Sequence, residues 1–244
     1  MPIAREGARE IVFAAVILCA LSVVAVWGMM WPLCFLFAVV WLWVLSFFRD
    51  PARHGSFGPG ELCAAADGTV TEVVELDGHE AIGGPAVRIG VFLSIFDVHI
   101  NRAPCAGRVR SITYEPGEFL DARHPESGRR NEANTLVIEP EAPLPGPIEV
   151  RQVAGVVARR IMCHAREGEN LAIGARFGLI KFGSRTEIVL PRLPDTEIRV
   201  KVGDKVRAGL TVVARQPVDS AGGQGEVRDA SADIQRSAMQ VGSR

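Results

Sequence analysis

Ala86-Val87-Arg88-Ile89-Gly90-Val91-Phe92-Leu93 is a short, largely apolar run set among Gly and Pro residues that recur every several positions after Asp50-Pro51. A run of that length between turn formers reads as a β-strand. The same reading extends outward to residues 68–76, 107–114, 134–138, 148–158, 186–190 and 211–214. Helical periodicity is scarce, with one short piece expected at 94–98 or 118–122. Residues 51–215 are therefore expected to form a mainly β, antiparallel, barrel-sandwich-like domain, α+β only through a few short helices.

Toward the C-terminus, Arg199-Val200-Lys201-Val202-Gly203-Asp204-Lys205-Val206-Arg207-Ala208-Gly209 resembles a hairpin turn of biotinyl- or lipoyl-type barrel sandwiches, and residues 170–175 echo it weakly. A swinging-arm carrier needs a lysine at the tip of a tight hairpin between hydrophobic neighbours. No such tip is evident, so the segment reads as architecture. Beyond Arg215 the chain turns to Ser, Gly, Gln, Asp and Arg, too poor in large apolar residues to offset the entropy of ordering, and 216–244 is expected to be a disordered tail.

Toward the N-terminus, residues 11–48 form a stretch of 38 without one charge, interrupted only by Trp27-Gly28-Met29-Met30-Trp31-Pro32. A single span needs about 20 residues. The stretch reads as two short helices, near 11–28 and 33–48, breaking at the Gly and Pro. Residues 1–50 are thus expected to be a helical membrane hairpin. Arg5 and Arg9 precede it and Arg49 and Arg53 follow it, while its turn is uncharged, which keeps both ends cytoplasmic by the positive-inside rule. A cleaved signal peptide would carry an apolar region of only about 7–15 residues. Trp31, Trp41 and Trp43 suit a membrane interface better than a buried soluble hairpin.

The whole 244-residue chain has room for one modest core beside that anchor. Its mean hydropathy of +0.19 is high for a chain with 23% charged residues, and the excess lies in the first fifth. A net charge of −1, from 27 basic and 28 acidic residues, argues against a nucleic-acid partner. Cys19 and Cys34 lie in apolar sequence and Cys63, Cys105 and Cys163 are scattered, without CxxC spacing or a disulfide framework, as befits a reducing compartment. His54, His79 and His164 lack metal-ligand spacing, and no metal is expected.

The chemistry concentrates in Arg176-Phe177-Gly178-Leu179-Ile180-Lys181-Phe182-Gly183-Ser184-Arg185-Thr186-Glu187. This string resembles the short-form phosphatidylserine decarboxylase family, whose Gly-Ser bond in an FGS-type motif breaks itself and whose new N-terminal serine becomes pyruvoyl. Further similar pieces follow in order: Phe47-Phe48-Arg49-Asp50-Pro51, Ala66-Asp67-Gly68-Thr69-Val70, Phe96-Asp97-Val98-His99-Ile100-Asn101-Arg102-Ala103-Pro104, Tyr114-Glu115-Pro116-Gly117-Glu118-Phe119 and Gln152-Val153-Ala154-Gly155-Val156-Val157-Ala158-Arg159-Arg160-Ile161. Each is weak alone. Their order, ending in the Gly-Ser, makes the likeness specific.

The resemblance implies a cut between Gly183 and Ser184, a β chain of residues 1–183 with an α chain of residues 184–244, and a pyruvoyl group formed from Ser184 as the only cofactor. Glycine at 183 permits the bend that lets a serine hydroxyl reach its own preceding carbonyl. It further implies decarboxylation of phosphatidylserine to phosphatidylethanolamine through a Schiff base, for phospholipid biosynthesis, at the inner membrane of a bacterial-type cell with the catalytic domain cytoplasmic. A homo-oligomer is expected. By the same likeness Asp67 and His99 join Ser184 as catalytic residues, His99 moving protons and Asp67 orienting an imidazole. Longer family members carry a second histidine where this chain has Arg102, so His99 is expected at self-cleavage, at decarboxylation, or at both. Without the likeness, Asp67 would read as a turn aspartate and His99 as a core histidine.

The polar stretch Asp121-Ala122-Arg123-His124-Pro125-Glu126-Ser127-Gly128-Arg129-Arg130-Asn131-Glu132 falls where the family has a substrate-side loop, and His124, Arg129 and Arg130 are candidates to meet a lipid phosphate. A solvated surface loop is the plain alternative. Basic residues at Arg49, Arg53, Arg159 and Arg160 would favour an anionic lipid surface, at about 1 kcal/mol each near the headgroups. Two other classes fit the sequence less well. A non-enzymatic, membrane-anchored lipoyl-like adaptor would usually add coiled-coil heptads, which are lacking, and an anchored serine hydrolase would need a GxSxG elbow where this chain has FGSR.

Overall fold

A computed structural model of the chain describes residues 2–124, 126–156, 160–181 and 183–218. Of the sequence expectations, Arg159 and residues 219–244 of the tail lie outside the described residues.

The uncharged stretch folds as a helical hairpin, α1 (Ala8–Trp27) and α2 (Trp31–Phe47), joined at Gly28, Met29 and Met30. Pro32 sits in the first turn of α2, where its missing N–H costs nothing, and Met29 takes a φ of 56° to reverse the chain. The segment Arg5–Trp27 is long and apolar enough to cross a membrane, and only 6% of its apolar window is buried within the molecule. Its side chains, Phe13, Val24 and Trp27 among them, point outward instead of into a core. The helix α2 is shorter at 17 residues.

Fourteen strands follow among the described residues. They are β1 (Glu61–Cys63), β2 (Gly68–His79), β3 (Gly84–Leu93), β4 (Ile100–Arg102), β5 (Gly107–Glu115), β6 (Ala133–Pro140), β7 (Ile148–Val153), β8 (Ile161–Cys163), β9 (Asn170–Leu171), β10 (Arg176–Ile180), β11 (Ser184–Pro191), β12 (Glu197–Ile198), β13 (Lys205–Val206) and β14 (Val212–Arg215). A single turn of helix, α3 (Ser127–Arg130), interrupts them. The fold is mainly β and antiparallel, as the alternation of short runs and turn residues predicts. Eight strands form one sheet in the order β13-β2-β3-β11-β7-β6-β5-β9, and two small sheets, β1-β14-β12 and β4-β10-β8, complete the domain. One core joins them: Ile89, Val91, Leu136, Val150 and Ile188 of the large sheet pack with Leu62, Phe177 and Val213 of the small ones.

The strand β11 lies centrally between β3 and β7, and every residue from Ser184 to Pro191 is buried. Its polar residues therefore need internal partners. Arg185 finds Glu72 and Glu187, and Thr186 accepts from the Asn101 side-chain amide at 3.0 Å. Two elements differ from the sequence reading. The strand expected at 148–158 ends at Val153, because Ala154 and Gly155 turn away to pack on the loop before β11. The short helix falls at Ser127–Arg130 and not at 94–98 or 118–122, since local polar sequence left its position to tertiary contacts.

The anchor is stitched to the β domain at its base. The Ala4 N–H donates to the Phe48 carbonyl at 2.8 Å, the Asp50 N–H to the Pro2 carbonyl at 2.9 Å, and Ala4 is fully buried. From the other side Glu6 pairs with Arg176 and His164, and Glu10 with Lys181.

Candidate functional site

Ser184 is the first residue of β11, four positions after β10 ends at Ile180. Its hydroxyl is buried and, among the described residues, has no hydrogen-bond partner. Most buried polar groups are satisfied, so an orphaned hydroxyl is a feature that invites a functional reason. The preceding Gly183 has φ 56°, the left-handed region, while a Cβ there would meet nothing within 4 Å. Backbone conformation, not space, requires glycine at 183.

Space requires it at 155. A Cβ on Gly155 would lie 2.0 Å from the Gly183 carbonyl oxygen, with the Ala122 Cβ at 3.4 Å. The carbonyl that precedes Ser184 is thus backed by bare backbone, and the 118–131 loop comes over the same spot. Asn131 holds that loop: its amide accepts from the Leu120 N–H at 2.9 Å and donates to the Leu120 and Ala154 carbonyls, each at 2.8 Å. Gly155 carries no mark of a role in the sequence. Nothing in a lone glycine marks which backbone will approach it.

His99 stands just before β4, fully buried, with its ring centroid 4.3 Å from that of Phe47 at the end of α2. Its Nδ1 lies 3.0 Å from the Asp97 carbonyl oxygen. A carbonyl can only accept, so Nδ1 carries the hydrogen and Nε2 keeps its lone pair. That Nε2 is buried and unpartnered among the described residues. The side chains of Asn101 and Thr186 meet at 3.0 Å, which ties β4, just after His99, to β11, which begins at Ser184. Behind it runs a buried amide chain, Asn134 to Gln152 at 3.1 Å and Gln152 to Asn101 at 2.9 Å. Such a satisfied network holds the two strands in one register.

Burial, the largest cause, pushes the His99 pKa from the ordinary 6.5 down to about 4, against the Asp97 carbonyl and the Asp97 charge, which favour the protonated ring. The imidazole is accordingly neutral near pH 7, with a free base at Nε2. The depressed value also ties stability to pH. Between 6.5 and about 4 the unfolded chain binds more protons at this residue than the folded chain, so stability rises with pH there and is lost as pH falls. The full effect is on the order of 3 kcal/mol at pH 4 and below. In an uncut Ser184→Ala background, His99→Gln is expected to flatten the urea-midpoint profile across this window. An unchanged slope would show that His99 is not buried neutral.

Asp67 does not touch the imidazole. Its carboxylate receives both Arg53 guanidinium nitrogens, at 2.5 and 2.6 Å, and the Ala208 N–H at 2.8 Å, and it acts on His99 only as a weak favourable field. Arg53 was absent from the sequence reading as a partner. Arg102, where longer relatives of the resembled family carry histidine, is structural: it donates to Asp50 at 3.1 Å and to the Pro51 and Gly174 carbonyls, which ties the membrane exit to β4.

The three loop candidates are dispersed. Arg130 is engaged by both oxygens of Glu118, at 2.8 and 3.0 Å. Arg129 lines a polar cavity with Glu187, which lies on the face of β11 opposite Ser184. His124 is exposed and accepts from the Glu126 N–H. The thiols of Cys63 and Cys105 are pushed up to about 12 by burial and stay protonated.

A family model described as "Phosphatidylserine decarboxylase" matches residues 41–214, which take in the described strands but for the last residue of β14 and include Gly183 and Ser184. Among curated relatives, a phosphatidylserine decarboxylase proenzyme of Rhodopirellula baltica is 44% identical over 217 residues, 88% of this chain and 88% of its own. One from Pelobacter propionicus is 46% identical over 180 residues, covering 74% and 80% of the two chains. A third, from Desulfotalea psychrophila, is 39% identical over 215 residues, covering 88% and 97%.

Proposed function

The chain belongs to the phosphatidylserine decarboxylase family of carboxy-lyases, and from that premise we propose that it is a proenzyme that cuts itself between Gly183 and Ser184 and then converts phosphatidylserine to phosphatidylethanolamine. The observation that carries this reading is two buried groups without a hydrogen-bond partner among the described residues, the Ser184 hydroxyl and His99 Nε2, with a left-handed Gly183 directly before the serine.

In the first step Ser184 Oγ attacks the Gly183 carbonyl carbon and His99 Nε2 takes its proton. The carbonyl oxygen carries the developing charge against the backbone of Gly155. Collapse of the adduct breaks the Gly183–Ser184 C–N bond, and the freed amine takes a proton, leaving an ester on Oγ. Removal of the Ser184 α-proton then expels the Gly183 carboxylate, and water replaces the nitrogen of the resulting enamine as ammonia leaves. Residue 184 is left as a pyruvoyl ketone, heading an α chain of 184–244 beside a β chain of 1–183.

That group supplies an electrophile for the lipid amine and a sink for the electron pair released when carbon dioxide departs, chemistry that ordinary side chains lack. His99 then returns the proton to the substrate carbon, and Asp67, shared with Arg53, favours the charged ring from a distance. The absence of a second histidine at Arg102 leaves both tasks to His99. The apolar hairpin, inserted in the inner membrane of a bacterial-type cell with both ends cytoplasmic, keeps this chemistry beside its lipid.

Intact mass and product analysis test the reading together. The purified protein is expected as two chains split after Gly183, the smaller refractory to N-terminal sequencing, and to release carbon dioxide from phosphatidylserine in mixed micelles. A folded, full-length chain without decarboxylation would overturn it.

A further inference from the structure

A cleft of about 510 Å³ opens at the foot of α1, with Arg5, Arg9 and Phe13 of the anchor on one wall and Arg160, Met162 and Lys181 of the β domain on the other. The two acids in it are spoken for. Glu6 is paired with Arg176 and with His164 at 2.8 Å, and Glu10 with Lys181. Among the described residues no carboxylate forms an ion pair with Arg5, Arg9 or Arg160, although Glu10 lies near enough to feel the Arg160 charge. Three exposed guanidinium groups therefore surround one concavity without a counter-ion of their own.

Phe13 and Met162 make up the apolar part of the lining. Phe13 is 69% exposed and continues into the outward-facing apolar surface of α1, so a molecule seated here would meet positive charge at one end and hydrocarbon at the other. Lys181, on the β-domain wall, is three residues before Ser184, which sets their Cα atoms no more than about 11 Å apart. The candidate loop arginines lack these properties, since Arg130 is held by Glu118 and Arg129 lines a cavity across the sheet.

We propose that this cleft is the seat of the phospholipid phosphate, held by Arg5, Arg9 and Arg160, with the acyl chains along Phe13 and the headgroup directed to residue 184. The inference rests on the membrane-lipid reading above and assigns its phosphate contact. Guanidinium groups can each offer two parallel donors to a phosphate diester, which a lysine cannot. The anchor would then be part of the substrate site and not a tether only.

The test uses full-length protein in the uncut Ser184→Ala form, so that lipid is bound without turnover. Native mass spectrometry in detergent would read retention of added phosphatidylserine, with diacylglycerol as the phosphate-free comparison. Retention by the Ser184→Ala chain, with at least tenfold weaker retention when Arg9→Gln and Arg160→Gln are added and no retention of diacylglycerol, is the expected result. Equal retention in the cleft variant, or a loss that follows Arg129→Gln and Arg130→Gln instead, would overturn it. So would calorimetric binding of inorganic phosphate as tight as that of the lipid, which would mark a free-anion site. In the cleavable chain the cleft variant should still split after Gly183 and show a raised KM with kcat little changed; a kcat loss at unchanged KM would also count against the cleft. A protein that holds phosphatidylserine in the cleft but never decarboxylates it would sink the enzyme reading while leaving the phosphate site standing.

Discussion

Ser184→Ala is expected to yield one uncut chain with no decarboxylase activity and no loss of fold. The first half follows from chemistry: without Oγ nothing at residue 184 can attack the Gly183 carbonyl or become a ketone. The second half follows from the structure. Among the described residues the Ser184 hydroxyl is buried without a partner, so it is a desolvated polar group and not a contributor to stability, and leaving such a group unsatisfied costs about 1–3 kcal/mol. Its methyl replacement keeps the strand pairing of β11 with Leu93 of β3 and removes that cost. Intact mass and a cooperative thermal transition check both halves. A variant that is still cut would place the reacting serine elsewhere, and one that fails to fold would mean the hydroxyl is satisfied in the native protein.

Gly155→Ala is expected to be nearly as severe, although residue 155 reacts with nothing. Its added Cβ would fall 2.0 Å from the Gly183 carbonyl oxygen, where ordinary contact begins at 3.4 Å. The obstacle is backbone, so it cannot rotate aside. The carbonyl under attack must shift by more than an ångström, and a misplacement on that scale can cost about a hundredfold in a positioned reaction. Self-cleavage should slow at least to that degree, with full-length chain accumulating on a gel over hours. Gly183→Ala offers a contrast, since its Cβ meets nothing and its cost is the left-handed backbone alone, about 1–2 kcal/mol. If Gly155→Ala is cut at the parental rate while Gly183→Ala is not, close approach at 155 has no part in the reaction.

Much of this was legible in the chain. The uncharged run at 11–48, with glycine and proline in its middle, determines a helical hairpin because hydrocarbon-length apolar sequence has few other stable forms, and α1 and α2 break where those residues stand. The short runs between turn formers determine a mainly β domain, and most of the expected strands lie within two or three residues of those found. The FGSR string marks the proposed cleavage site because a left-handed backbone before a serine calls for glycine, and Gly183 has that conformation.

What the sequence could not carry is any relation between residues distant along it. Asp67 and His99 are adjacent in the argument from resemblance, yet in space the carboxylate belongs to Arg53 and Ala208 while the imidazole is set by its own neighbour Asp97. Glu10 and Lys181, 171 positions apart, meet at the anchor's foot, and Gly155 meets the Gly183 carbonyl. Local propensity and periodicity act over a few residues, so they decide which segments are helix, strand or turn. Burial depends on which segments share a core. Only the closing of three sheets around one interior buries the Ser184 hydroxyl and His99 Nε2 with no hydrogen-bond partner among the described residues, the feature on which the proposed roles of this serine and histidine rest.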